Sequence, residues 1–182
     1  MKFLYLLLIS IVLVSCGSSV ALDYEKGTDW TQFTAYQFSQ AHTGPNGEEQ
    51  VSSGLNELDD KRVMRAVDSV FQARGYQKTD YNQFYIDFFV EEYLSNSRNT
   101  IGIGLGSGGG NVNIGGGIGI PIGGKIINQR FTMEFYEADS GRKLLWQAIY
   151  DGELKEKATP AQKDAYYYNV VSKMLKKYPP EQ

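Results

Sequence analysis

The chain has 182 residues and a formal charge of −3, from 18 basic and 21 acidic side chains. That balance argues against a nucleic-acid binder, which would carry a basic surplus. With one histidine, His42, and one cysteine, Cys16, most zinc sites, iron–sulfur clusters, disulfide scaffolds and Cys/His nucleophile pairs are excluded.

The amino terminus reads as an address. Lys2 is the only charge among the first fifteen residues, and an apolar run from Phe3 to Val14 follows it. The run is short of the roughly 20 residues that span a bilayer and matches a secretory signal core. Leu13-Val14-Ser15-Cys16 resembles the bacterial lipobox, in which the Cys thiol receives a diacylglyceryl group and the signal is cut just before it. The expected division is therefore a signal peptide over 1–15, a lipidated Cys16 with a short tether over 16–19, and a single domain over 20–182. Gly17 follows the cysteine, and resemblance to sorted lipoproteins then implies the bacterial outer membrane, on its periplasmic side. Two or more acyl chains anchor stably where one gives only marginal binding. The single cysteine also suits an oxidising compartment, since its thioether cannot enter a stray disulfide.

Along the mature chain, Val20–Glu25 alternates as a short strand, Gly27–Thr31 reads as a turn, and Thr34–Phe38 as a second strand. Thr43–Gly47 has loop composition. Leu58 to Arg74 is the clearest helix, with Leu58, Val63, Ala66, Val67, Val70 and Phe71 assigned to its apolar face. Asn56 is its expected cap, Glu57, Asp59 and Asp60 suit the positive end of its dipole, and Gly75 is the expected left-handed stop. Asn82–Tyr93 alternates as a strand, with Phe84, Ile86, Phe88 and Val90 on one side and Tyr85, Asp87, Phe89 and Glu91 on the other. Phe131–Glu137 and Lys143–Tyr150 are two further strands, joined by a hairpin turn at Asp139–Arg142. Thr159-Pro160-Ala161-Gln162 spells a capping box with proline at the first helical position. The helix it opens carries Tyr167, Val170, Val171, Met174 and Tyr178 as its stripe and ends at Pro179-Pro180. Of Tyr166, Tyr167 and Tyr168, one or two rings are expected to pack.

This order of elements predicts an α+β fold: a mainly antiparallel sheet with two helices packed on one face, plus a glycine-rich insert.

In order, the chain shows the lipobox at Cys16, then Asp23-Tyr24 and Tyr36. Ala73-Arg74-Gly75-Tyr76 closes the first helix, and the Phe84–Val90 strand follows. Phe131–Glu137 then leads to Asp139-Ser140-Gly141 and Leu145-Trp146, and the chain closes on Leu175-Lys176-Lys177-Tyr178-Pro179-Pro180. This series resembles the bacterial envelope lipoproteins grouped as domain of unknown function 4136. The resemblance implies an anchored, periplasmic-type α+β sandwich and carries over no catalytic residue. The chain departs from that pattern in the length and regularity of its glycine insert.

The insert, residues 101–124, holds 12 of the chain's 20 glycines. Ile101, Ile103 and Leu105, and later Ile114, Ile118, Ile120 and Ile122, fall at even spacing around a Ser107–Asn111 turn. A variable loop, a β-hairpin that covers or extends the sheet, and a membrane-inserting segment all fit the pattern. Gly104–Gly109 spells G-x-G-x-x-G as chance allows in so glycine-rich a run. Gly119–Lys125 falls short of a P-loop because Ile126 stands where Ser or Thr would hold Mg²⁺. No nucleotide, cofactor or metal is expected.

His42 reads as a solvated loop residue, and Asp87 as outward or hydrogen-bonded. The second sheet face, expected to hold Tyr85, Phe89, Tyr136, Leu145 and Ile149, is the candidate surface for a partner or ligand. The reading is a non-enzymatic, lipid-anchored envelope protein with a binding or scaffolding role, whose partners are the membrane, through its lipid, and an envelope protein. The alternatives are a carrier of a small hydrophobic ligand and a hydrolase of envelope polymers. The first needs an enclosed pocket beneath the aromatic face, and the second needs converging carboxylates or an activated serine.

Overall fold

The structure, a computed structural model, describes residues 20–40, 42–43, 49–50, 52–95, 125–139 and 141–180. The expected signal peptide, Cys16 with its tether, and the 101–124 insert lie outside these residues. The elements in chain order are β1 (Ala21–Tyr24), β2 (Ala35–Phe38), β3 (His42–Thr43), β4 (Glu49–Gln50), α1 (Glu57–Gln72), β5 (Gln77–Lys78), β6 (Phe84–Ser95), β7 (Ile126–Glu137), β8 (Leu144–Lys155) and α2 (Pro160–Met174). Single 3-10 turns stand at Trp30–Gln32 and Leu175–Lys177.

Six strands form one sheet in the order β1-β8-β7-β6-β2-β5, and β3 pairs with β4 separately. The β1–β8, β8–β7 and β7–β6 pairs are antiparallel, while β2 lies parallel to both β6 and β5. The sheet is therefore mixed, which corrects the expectation of a mainly antiparallel one. The cause is α1: the chain leaves β2, crosses the sheet as a helix, and returns to lay β5 and β6 in the direction of β2. The α+β class and the two helices stand as expected. His42 lies on β3 rather than in a loop.

Both helices cover one face. Phe84, Ile86, Phe88 and Val90 of β6, Phe131, Met133 and Phe135 of β7, and Trp146, Ala148 and Tyr150 of β8 are buried there with the helix stripes. The rings of Phe135 and Trp146 stack at 4.5 Å, and Tyr178 meets both edge-on at 4.8 and 5.5 Å. The carboxyl-terminal segment is thus core. Arg74 holds it in place, donating from Nη1 to the carbonyls of Leu175 at 2.8 Å and Tyr178 at 2.9 Å.

Helix α1 begins where expected, with the Asn56 side chain accepting from Leu58 N and Asp59 N at 3.1 Å each. It ends as Gly75, at φ +85°, donates to Gln72 O and Tyr76 donates to Phe71 O, a Schellman arrangement. The buried stripe differs by one residue from expectation. Leu58 is 64% exposed and Asp59 takes its place. At about 100° per residue, position 58 lies some 140° away from Val63, while position 59 lies within about 40° of it.

Asp59 bridges the helices. Its carboxylate accepts from Arg62 Nη1 at 2.8 Å, Asn56 Nδ2 at 2.7 Å and Lys163 Nζ of α2 at 2.7 Å. Burial by itself would raise its pKa, but Lys163, Asn56 and Arg62 outweigh that and hold the carboxyl below its ordinary value. Asp164 extends the bridge, accepting from Arg62 Nε at 3.0 Å and Arg65 Nη2 at 3.1 Å.

Beyond the short β2, residues 52–54 run along the exposed flank of β6, where Val90 N donates to Ser53 O at 2.7 Å. Gly54 makes this approach possible: at φ +85°, a Cβ there would lie 2.0 Å from Val90 O.

Candidate functional site

The strand period sends alternate residues of β6, β7 and β8 to the face away from the helices. Register sets them in rows. Tyr85 lies opposite Tyr136. Asp87 lies opposite Glu134, which lies opposite Gln147 and, through β8, beside Asp23 of β1. Phe89 lies opposite Thr132, which is paired in turn with Ile149. Neither α1 nor α2 packs on this side; their buried residues join the core on the other. Tyr85, Phe89 and Ile149 are half-buried, and Tyr136 is nearly covered.

Four of the five expected face residues are thus brought together: Tyr85, Phe89, Tyr136 and Ile149. Leu145 is not among them. Pairing shifts between Phe135 and Tyr136, so that Phe135 faces Trp146 but Tyr136 faces Leu144. Leu145 is the extra residue at this bulge and is buried in the core cluster.

Sequence reasoning singled out Asp87 but missed Glu134, Gln147 and Arg142, the other residues that organise this face, because no local pattern marks them. Glu134 accepts from Tyr136 Oη at 2.6 Å and from Gln147 Nε2 at 2.6 Å. Asp87, only 1% exposed, forms an ion pair with Arg142 at 3.6 Å, and the Arg142 guanidinium lies 5.0 Å from the centre of the Tyr136 ring. Arg142 reaches back over the sheet from the β7–β8 hairpin, where Gly141 and Arg142 have φ of +65° and +67°. Glycine adopts that conformation freely, whereas an arginine does so at a cost of about 1–2 kcal/mol. Its signal was the Ser140-Gly141-Arg142 turn, but only the register shows which carboxylate it meets.

A groove of about 710 Å³ adjoins this face at the β2 side. Tyr85 and Arg142 form its near wall, with Phe38, Met64, Gln37 and Asp80 around it. Its lining is mixed: apolar rings and a methionine beside a carboxylate, an amide and a guanidinium. Asp87 and Glu134 are close enough in register to suggest paired acids, yet each is engaged by neighbouring side chains. As built, the arrangement presents fixed aromatic and polar groups for contact.

Residues 20–180 match the family model described as domain of unknown function (DUF4136). Among solved structures, a PDZ domain protein from Parabacteroides distasonis is 14% identical with a TM-score of 0.53, the match covering 91% of this chain and 36% of that one. The chain thus spans about a third of that protein's length. A DUF4136 family protein from Bacteroides thetaiotaomicron is 13% identical, with a TM-score of 0.48 and coverage of 91% and 97%. The PelC dodecamer from Paraburkholderia phytofirmans is 9% identical, with a TM-score of 0.47 and coverage of 91% and 100%. No curated protein matches the chain.

Proposed function

The chain belongs to the DUF4136 family, a domain with no assigned activity, and from that premise we propose that it is a lipid-anchored bacterial envelope protein whose helix-free sheet face binds another envelope protein. The observation that carries this reading is the preorganised face. Tyr85, Phe89 and Ile149 remain partly accessible on a rigid sheet, and Arg142 is fixed over Tyr136 and Asp87. Rigid aromatic groups flanked by ordered polar ones give contact area at low ordering cost. Asp87 and Glu134 on this face serve Arg142, Tyr136 and Gln147, which favours binding over acid–base chemistry. The adjoining groove opens along a polar margin, which favours a protein surface over an enclosed hydrophobic cargo. Outer-membrane placement on the periplasmic side follows from the Cys16-Gly17 reading and is part of the same proposal.

Two measurements test it in the bacterial envelope. A photoreactive residue at Tyr85 or Phe89 of the full chain should give a discrete protein adduct that the same probe at Tyr168, on the helix side, does not. No adduct from the sheet face, or an identical one from Tyr168, would overturn the binding reading. Labelled palmitate should enter the natural chain but not Cys16→Ala; labelling of both would overturn the anchor.

A further inference from the structure

β1 is an edge strand of the sheet and the first described element. Only Gly17, Ser18 and Ser19 separate Cys16 from Val20. Four extended steps reach no more than about 14 Å, so a lipid on Cys16 would keep this edge within reach of the bilayer surface. What stands at the edge is therefore informative.

Leu22 and Tyr24 project from β1 towards the helix side. There they line a groove of about 510 Å³ with Lys176, Lys177, Pro179 and Pro180. Tyr24 is 40% exposed, and both lysines are exposed. Elsewhere on the described body Arg62, Arg65, Lys78, Arg130, Arg142 and Lys163 sit in ion pairs, while the exposed Lys26, Lys125, Lys155 and Lys157 do not but lie outside this groove. Among the described residues, Lys176 and Lys177 have no ion-pair partner. Asp23, the acidic residue of β1, alternates to the opposite face, beside Gln147. The result is a narrow strip of two uncommitted ammonium groups, a tyrosine, a leucine and two prolines. Long cationic stems and an amphipathic ring suit an interface where apolar and hydrated layers meet.

We infer that this β1 edge, through Lys176 and Lys177, rests on the anionic phospholipid headgroups of the bilayer that holds Cys16. The inference rests on the anchor reading of Cys16 and adds the orientation of the body. Short tethering supplies a high effective concentration, so two lysines suffice where a free protein would need a larger basic patch.

The test couples the mature chain, from residue 16 onward, through its single cysteine to a maleimide-bearing lipid in vesicles. All described contacts lie within residues 20–180, so this chain retains them. Lysine acetylation is then followed by mass spectrometry. With about 30% phosphatidylglycerol in the vesicles, Lys176 and Lys177 should react at least ~3-fold more slowly than on phosphatidylcholine alone, while Lys61 and Lys78 keep their rates. High salt should abolish the difference. Equal rates at Lys176 and Lys177 on both vesicles, or a uniform slowing at every lysine, would overturn the inference. The synthetic tether makes this reading independent of palmitate labelling, so failure of the anchor and failure of the docking edge are distinguishable.

Discussion

Asp87 and Glu134 stand directly opposite one another on adjacent strands, two carboxylates at a position where like charges repel. The sheet tolerates them because Arg142 answers the first and Tyr136 with Gln147 answers the second. Replacing Arg142 should therefore expose the conflict. Arg142→Ala is expected to destabilise the fold by about 1–2 kcal/mol, and Arg142→Gly by less, because glycine relieves the positive φ. In the double variant with Asp87→Asn the arginine replacement should cost less than it does alone. Urea denaturation of the four variants checks this; equal losses from Ala and Gly would separate the strain from the charge.

Asp59 makes stability depend on acid. Its folded pKa lies below its ordinary value of 3.8, so its contribution is complete above that value and is lost as pH falls through the folded one. Asp59→Asn leaves Lys163 without its carboxylate and Arg62 with Asp164 alone, and should cost about 2–3 kcal/mol at neutral pH. The gap between variant and natural protein should narrow as pH falls below the ordinary value of 3.8. Denaturation midpoints from pH 2 to pH 7 measure it directly.

Gly54 and Gly75 share a φ of +85° but not their surroundings: a Cβ at Gly54 would strike Val90 O at 2.0 Å, whereas Gly75 has nothing within 4 Å. Gly75→Ala should thus cost only the conformational term, about 1 kcal/mol. Gly54→Ala must also break the approach of residues 52–54 to β6, and a loss of about 3 kcal/mol is expected. Hydrogen exchange at Val90 N–H should quicken in the Gly54 variant and stay slow in the other.

Tyr178 follows the last helix yet sits among Trp30, Phe71, Phe135 and Trp146. Tyr178→Ala is expected to cost about 3–5 kcal/mol, the range of a deep aromatic deletion. Near-ultraviolet circular dichroism should lose its aromatic signal at lower denaturant. A surface tail would show neither effect.

Local chemistry made much of this fold legible. The Asn56 cap, the Gly75 stop and the Thr159–Gln162 capping box are short-range devices, each formed as its residues dictate. Alternation on β6 correctly divided Phe84 and Ile86 from Tyr85 and Phe89 because a strand allows only two sides. What stayed hidden was non-local. Nothing in Ala35–Phe38 announces that its neighbours run parallel to it; that follows from the path of α1. Leu145 was misplaced because the bulge beside Tyr136 exists only in the pairing of two strands. Arg142 showed itself as a turn residue, and its meeting with Asp87, 55 positions earlier in the chain, needs the folded sheet.

The β6–β7 ladder is paired without interruption out to Ser95 and Ile126, so the glycine-rich stretch departs from a rung that is already closed. The entropy of joining two fixed points grows only as the logarithm of the number of links: between thirty residues and five it differs by roughly 1.6 kcal/mol. The closure term alone therefore sets little constraint on how long a connection between Ser95 and Ile126 must be.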